Sequence, residues 1–192
     1  MPHPSHLNEL GEAHMVDIGA KSHTHRSAIA QAVVELSSAA YDTVTQNSSS
    51  KGDILAAARI AGIMAAKRTA DLIPLCHAIA LTHTEIEITP ASNQHRLIIK
   101  AKAESKGPTG VEMEALTAAT VAALTLYDML KSVDRSISIG QVHLLEKNGG
   151  RSGHYVRGVR AIRKTPPWND AGESTSAQAE EAPSRARPAS AP

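Results

Sequence analysis

The chain predicts an α+β sandwich, helices layered on an antiparallel sheet, and three observations carry that expectation. HRSAIAQAVVELSSAAYDTV places Ile29, Val33, Leu36 and Ala40 at three- and four-residue spacing, the repeat of an amphipathic helix. THTEIEIT and RLIIKAKA each alternate residue by residue across the turn-rich PASNQ, the pattern of a hairpin. Helices first, then a hairpin, a further helix and a last strand is the order of an α+β domain rather than of alternating parallel units.

Taken in order, MVDI (Met15–Ile18) reads as a short strand, and the helix pattern of residues 25–44 follows until the polar run TQNSSSKG ends it. Asp53 is placed as the N-cap of a second helix, ILAAARIAGIMAAKRTADLI, which Pro74 stops. The hairpin comes next. TGVEMEALTAATVAALTLYDMLK, Thr109 to Lys131, is a long helix uncharged from Ala115 to Tyr127, so it needs apolar cover on all sides. SISIGQVHLLEK supplies a last strand or two, then the glycine-rich NGGRSG and one more strand candidate, HYVRGVRAI. One folded domain over 14–164 is expected, between a mobile segment at 1–13 and a disordered tail at 165–192 that is rich in Pro, Ala, Ser and Glu.

Composition narrows the function classes. Aromatic content is 2%, with no Phe and one Trp, so the core is built from Ala, Val, Ile and Leu and offers no base-stacking platform for single-stranded nucleic acid. A net charge of +1 gives no electrostatic footprint for nucleic acid or an anionic membrane. No stretch reaches the ~20 apolar residues of a membrane span, since Thr117, Thr120 and Thr125 interrupt the most apolar segment. A single cysteine, Cys76, excludes an intramolecular disulfide, and the first residues carry no apolar run, so a cytoplasmic protein is expected.

Charged residues stand at both ends of the long helix: Glu112 and Glu114 at its start, Asp128 and Lys131 at its finish. At ~1.5 Å per residue, Glu112 and Asp128 are about 24 Å apart, too far to share one small-molecule site within a chain. Either the ends serve two sites, or a second subunit brings one end near the other. Asp128 and Lys131, three apart, meet on one helix face, as a plain surface ion pair or as an acid/base pair. Glu112 and Glu114 share a face if extended, or else mark a helix start that favours acids. Lys51 and Gly52 precede a helix N-terminus, where free amides attract anions. Cys76 and His77 follow the proline-stopped helix; one adjacent Cys and His is no zinc site, and His23–His25 has no matching ligands either. EKNGGRSG sets Lys147 and Arg151 among glycines, suited to gripping an anion or to plain hairpin connection.

Four collinear segments, MVDIGAKSHTHRSAIA, KGDILAAARIAGIMAAKRTADLIPLCH, KGPTGVEMEALTAATVAALTLYDMLK and IGQVHLLEKNGGRSG, resemble the molybdenum cofactor biosynthesis protein C family over about His14 to Tyr155. The resemblance implies a ferredoxin-like sandwich assembled as a homohexamer, a trimer of dimers with sites at the dimer interface. It implies conversion of 3′,8-cyclo-7,8-dihydroguanosine 5′-triphosphate to cyclic pyranopterin monophosphate and diphosphate, a lyase reaction. It implies catalytic roles for Asp128, Lys131 and Lys51, and substrate binding by Leu75, Cys76, His77, Met113 and Glu114, with Glu112, Arg26 and Lys147 beside them. No cofactor is required on this reading, no metal is held by protein ligands, and magnesium would enter only through the substrate's phosphates. The sequence departs from the family in Ala78, where proline often follows the LCH segment, and in the tail after Arg163. A non-catalytic nucleotide-binding regulator and a structural oligomer with interface ion pairs are the alternatives.

Overall fold

The computed structural model describes residues 6–8, 10–91, 94–150 and 153–158. The expectations for residues 165–192, for the far end of HYVRGVRAI and for Arg151 lie outside the described residues.

The described chain runs β1 (Thr24–Glu35), α1 (Ser38–Thr45), α2 (Ile54–Lys67), α3 (Thr69–Leu72), β2 (Leu81–Ala91), β3 (Arg96–Gly107), α4 (Glu112–Leu130), β4 (Ser138–Asn148) and β5 (Tyr155–Val156). The five strands form one antiparallel sheet in the order β2-β3-β1-β4-β5. β1 and β2 lie on either side of β3, with α1 to α3 between them in sequence, and β3 returns through α4 to β4. This is the split β-α-β arrangement of the ferredoxin-like sandwich, so the α+β expectation holds.

The predicted helix over 25–44 is a strand followed by a short helix. Ala28, Ala30, Ala32 and Val34 of β1 alternate onto the buried face, paired with β3 on one side and β4 on the other. Ile29 and Val33 sit on the opposite face four residues apart, a spacing that a helix and a strand share. The β-branched Ile29, Val33 and Val34 favour the pleat. Only after Glu35 does helix begin, with Ser37 Oγ accepting from the Ala40 amide at 3.3 Å as the N-cap of α1. Met15–Ile18, expected as a strand, has no strand pairing.

The second helix starts where expected: Asp53 Oδ1 accepts from the Ala56 amide at 2.9 Å. It ends earlier, at Lys67. The hydroxyl of Thr69, wholly buried, donates to the carbonyls of Ala66 (3.0 Å) and Ala65 (3.3 Å), and the chain restarts as the one-turn α3 before Pro74. Such side-chain bonds to the preceding turn compete with helix continuation. The hairpin is as predicted, with Glu85 opposite Lys102 and Glu87 opposite Lys100.

α4 is long and apolar enough to cross a membrane by length and composition. Here it serves as the core helix. Ala115, Ala118, Ala119, Ala122, Ala123, Leu126 and Leu130 are fully buried against the sheet and α2. The small residues let the two helices approach closely: a Cβ on Gly62 of α2 would stand 3.0 Å from the Ala118 carbonyl oxygen.

Candidate active site

The C-terminal end of α4 collects the three residues to which catalysis was assigned. Lys131 Nζ contacts Asp128 Oδ1 at 2.7 Å, and Lys51, from the loop before α2, donates from Nζ to the Asp128 main-chain carbonyl at 3.0 Å. All three side chains are open to solvent. The hydrogen bond from Lys131 holds the Asp128 carboxyl below its ordinary value, helped by the charges of Lys131 and Lys51. The same bond raises Lys131, with Arg135 opposing. The outcome is a carboxylate that stays ionised at neutral pH against the Lys131 ammonium, while Lys51 holds the main-chain carbonyl of the same residue. Lys51 was also expected near the open amides of a helix start; Asp53 occupies that position instead, and Lys51 turns to Asp128.

The N-terminal end of α4 opens on a cleft of 650 Å³. Leu75, Cys76 and His77 form one wall, and Glu112, Met113 and Glu114 form another. Both glutamates lie in the first helical turn, so the extended arrangement with outward carboxylates does not occur. Glu114 is 3% exposed, whereas Met113 is exposed at 36%. Burial pushes the Glu114 carboxyl up to about 7, with a smaller contribution from the charge of Glu112 and a counteracting bond to its own amide. Burial also raises the Cys76 thiol, and Glu114 adds to it, so the thiol stays protonated and is no activated nucleophile. His77 Nε2 lies 2.7 Å from the Val16 carbonyl oxygen. A carbonyl only accepts, so Nε2 carries the proton, and a neutral His77 is left with Nδ1 as its acceptor.

The third group stands at the start of β1. Arg26 donates from Nε to the Gly107 carbonyl and from a terminal nitrogen to the Pro108 carbonyl, each at 3.3 Å. Its guanidinium lies against Gly150, and a side chain at Gly149 would meet the His25 carbonyl oxygen at 2.5 Å. Arg26 therefore braces the turn that leads to the cleft, beside the glycine segment. Lys147 stands in β4 opposite Ala28 and Tyr155.

The fold thus brings together Lys51, Asp128 and Lys131 at one end of α4, and the Leu75–His77 and Glu112–Glu114 segments at the other. It does not bring these two groups together within one chain. Sequence reasoning missed the contribution of the N-terminal segment: Val16, Ile18 and Lys21 line the cleft, with His6 at its rim. Lys21 is a cation in the lining of the same cleft as Glu112 and Glu114, and no periodicity in VDIGAK signals its place.

A model of the MoaC family matches residues 15–150. A protein of Brucella ovis named cyclic pyranopterin monophosphate synthase is 49% identical over 152 residues, covering 79% of this chain and 92% of its own length. One of Geobacillus kaustophilus with the same name is 52% identical over 155 residues, covering 80% and 96%.

Proposed function

Because the chain belongs to the MoaC family, we propose that it converts 3′,8-cyclo-7,8-dihydroguanosine 5′-triphosphate to cyclic pyranopterin monophosphate in molybdenum cofactor biosynthesis, as a cytoplasmic lyase that releases diphosphate. The observation that carries the chemistry is Asp128 held ionised against Lys131, with Lys51 on its main-chain carbonyl.

Rearranging a purine to a pterin takes several proton transfers, and positioned acids and bases contribute ~10²–10⁴-fold each. Asp128 is the acceptor of this set. Lys131 and Lys51 are cations suited to offset charge on the departing diphosphate. Glu114, with its carboxyl near neutrality, can give or take a proton at the other end of the substrate. His77 offers Nδ1 as an acceptor. Arg26 and Lys147 are the further cations assigned to the triphosphate. The chemistry calls for no protein-bound cofactor, and magnesium would ride on the substrate's phosphates.

A complete site then takes the cleft of one chain and the charged trio of another, in a homohexamer built as a trimer of dimers. The length of α4 supports this, as do Ile60, Met64 and Leu124, apolar side chains that α2 and α4 leave exposed. The test is anaerobic turnover of the cyclic substrate with diphosphate detection. Asp128→Ala and Lys131→Ala variants that still assemble should each lose at least ~10²-fold in rate. Parental rates in both would overturn the reading. The regulator alternative is not favoured, and it predicts nucleotide binding with no diphosphate released.

A further inference from the structure

Two separate pieces of chain supply the charged trio: the segment running from α1 to Lys51, and the last turn of α4 with Asp128 and Lys131. Asp134 joins them. Its main-chain amide donates to the Leu130 carbonyl at 3.0 Å, closing the turn in which Lys131 sits. Its carboxylate reaches the other piece, where Oδ2 accepts from the amide of Ser37, the N-cap of α1, at 2.9 Å. Oδ1 accepts from the Ser136 amide (2.8 Å) and the Ser136 hydroxyl (2.6 Å), which fixes the plane of the group. These donors hold the carboxyl down at about 2, so it is ionised throughout the working pH range. The turn between buried Leu130 and buried Ile137 is otherwise exposed at Lys131, Ser132, Val133, Arg135 and Ser136. Burial anchors its two ends, and Asp134 anchors its middle.

Resting on the synthase reading of the trio, we propose that Asp134 is a positioning residue, setting the register between the Lys51 segment and the Asp128–Lys131 turn. A displacement of 1 Å at such a site costs on the order of 10²-fold in rate. The cleft at the far end of α4 keeps its own walls, so the loss falls on kcat rather than on KM.

The experiment uses the full chain with Asp134→Ala, Asp134→Asn and Ser37→Pro. The last removes the donor instead of the acceptor, together with the Oγ cap of α1, and Ser37 already has φ of −67°, a value proline adopts. A sheet variant, Ile99→Val, serves as a control for lost stability alone. The expected result is a fall in kcat of at least ~10-fold with KM within about threefold. The acid limb of the kcat profile should also move to higher pH. Asp128 faces Lys131 and Lys51, and Lys131 faces Tyr127 and Arg135, so a loosened turn returns the Asp128 carboxyl toward its ordinary value. Ile99→Val should keep both parental kcat and the parental limb. Parental kcat and acid limb in the folded Asp134 variants, or in Ser37→Pro where those do not assemble, overturn the proposal. An inactive parental chain overturns the synthase reading and this proposal with it, whereas an active parent with indifferent variants overturns this proposal alone.

Discussion

Replacing Glu114 by Gln should stabilise the protein in a strongly pH-dependent way. Glu114 is 3% exposed as a residue, and its carboxyl, at the cleft wall, is pushed from its ordinary 4.5 to about 7, chiefly by burial. Between these values the folded chain holds a proton that the unfolded chain has released. Stability therefore falls as pH rises, by about 1.4 kcal/mol per pH unit. Across the interval of about 2.5 pH units the loss sums to roughly 3 kcal/mol, present in full above pH 7 and absent below 4.5. Gln keeps the shape and the acceptor for the residue's own amide but has no charge to desolvate. Urea unfolding at one fixed protein concentration, from pH 4.5 to 8.5, should show the variant near parental stability at the acid end and more stable by about 3 kcal/mol at the alkaline end. Cys76 does not confuse the comparison, because its thiol is raised above an ordinary value already outside this range. A gap between the two proteins that stays constant with pH would refute the assignment of a buried, uncompensated carboxylate at this position.

Gly62→Val should destabilise the chain by about 1–3 kcal/mol in urea unfolding, because its branches have no room against the Ala118 carbonyl and Ile86. Mixing a chain carrying Glu114→Ala with one carrying Asp128→Ala should restore about a quarter of parental diphosphate release after subunit exchange: random pairing makes half the dimers mixed, and one of the two sites in each is then intact. No recovery would show that both residues act within one chain.

The hairpin and the last helix were legible because a single pattern specified each. Glu85 and Glu87 alternate with Ile86 and Ile88, and no helix spacing fits them. Residues 112–130 contain no breaker at all. β1 was not legible because Ile29 and Val33 are apolar on the face away from the helices as well, so Ala28 to Val34 reads as nearly continuous apolar sequence, and Ile29 with Val33 imitates a helical repeat. The break after Lys67 depends on one threonine hydroxyl turning back on its own helix, an event that residue identity does not announce. In the site, the charged trio was legible at Asp128 and Lys131 through their spacing. Lys51 joined them only once the loop before α2 was folded against α4. Lys21 and the Val16 carbonyl reach the cleft through an irregular segment, where neither period operates.

The two ends of α4 depart from what position on a helix would prescribe. A helix N-terminus favours carboxylates and a C-terminus disfavours them, each by about 0.3–1 kcal/mol near the surface. By that rule Glu114 should be the easily ionised acid and Asp128 the reluctant one. The reverse holds: Glu114 sits near neutrality and Asp128 below its ordinary value. At the first end, desolvation worth roughly 3 kcal/mol outweighs the dipole. At the second, Lys131 at the helix's own C-cap, aided by Lys51 from the loop before α2, reverses its sign. A surface ion pair alone would explain Asp128 and Lys131, and a misfit core acid alone would explain Glu114. Neither explains why one helix has a proton-holding acid at the end that favours the charge and a charge-holding acid at the end that disfavours it. Proton transfer asks for that combination, because it needs one group able to release a proton near neutral pH and another that stays ready to accept one.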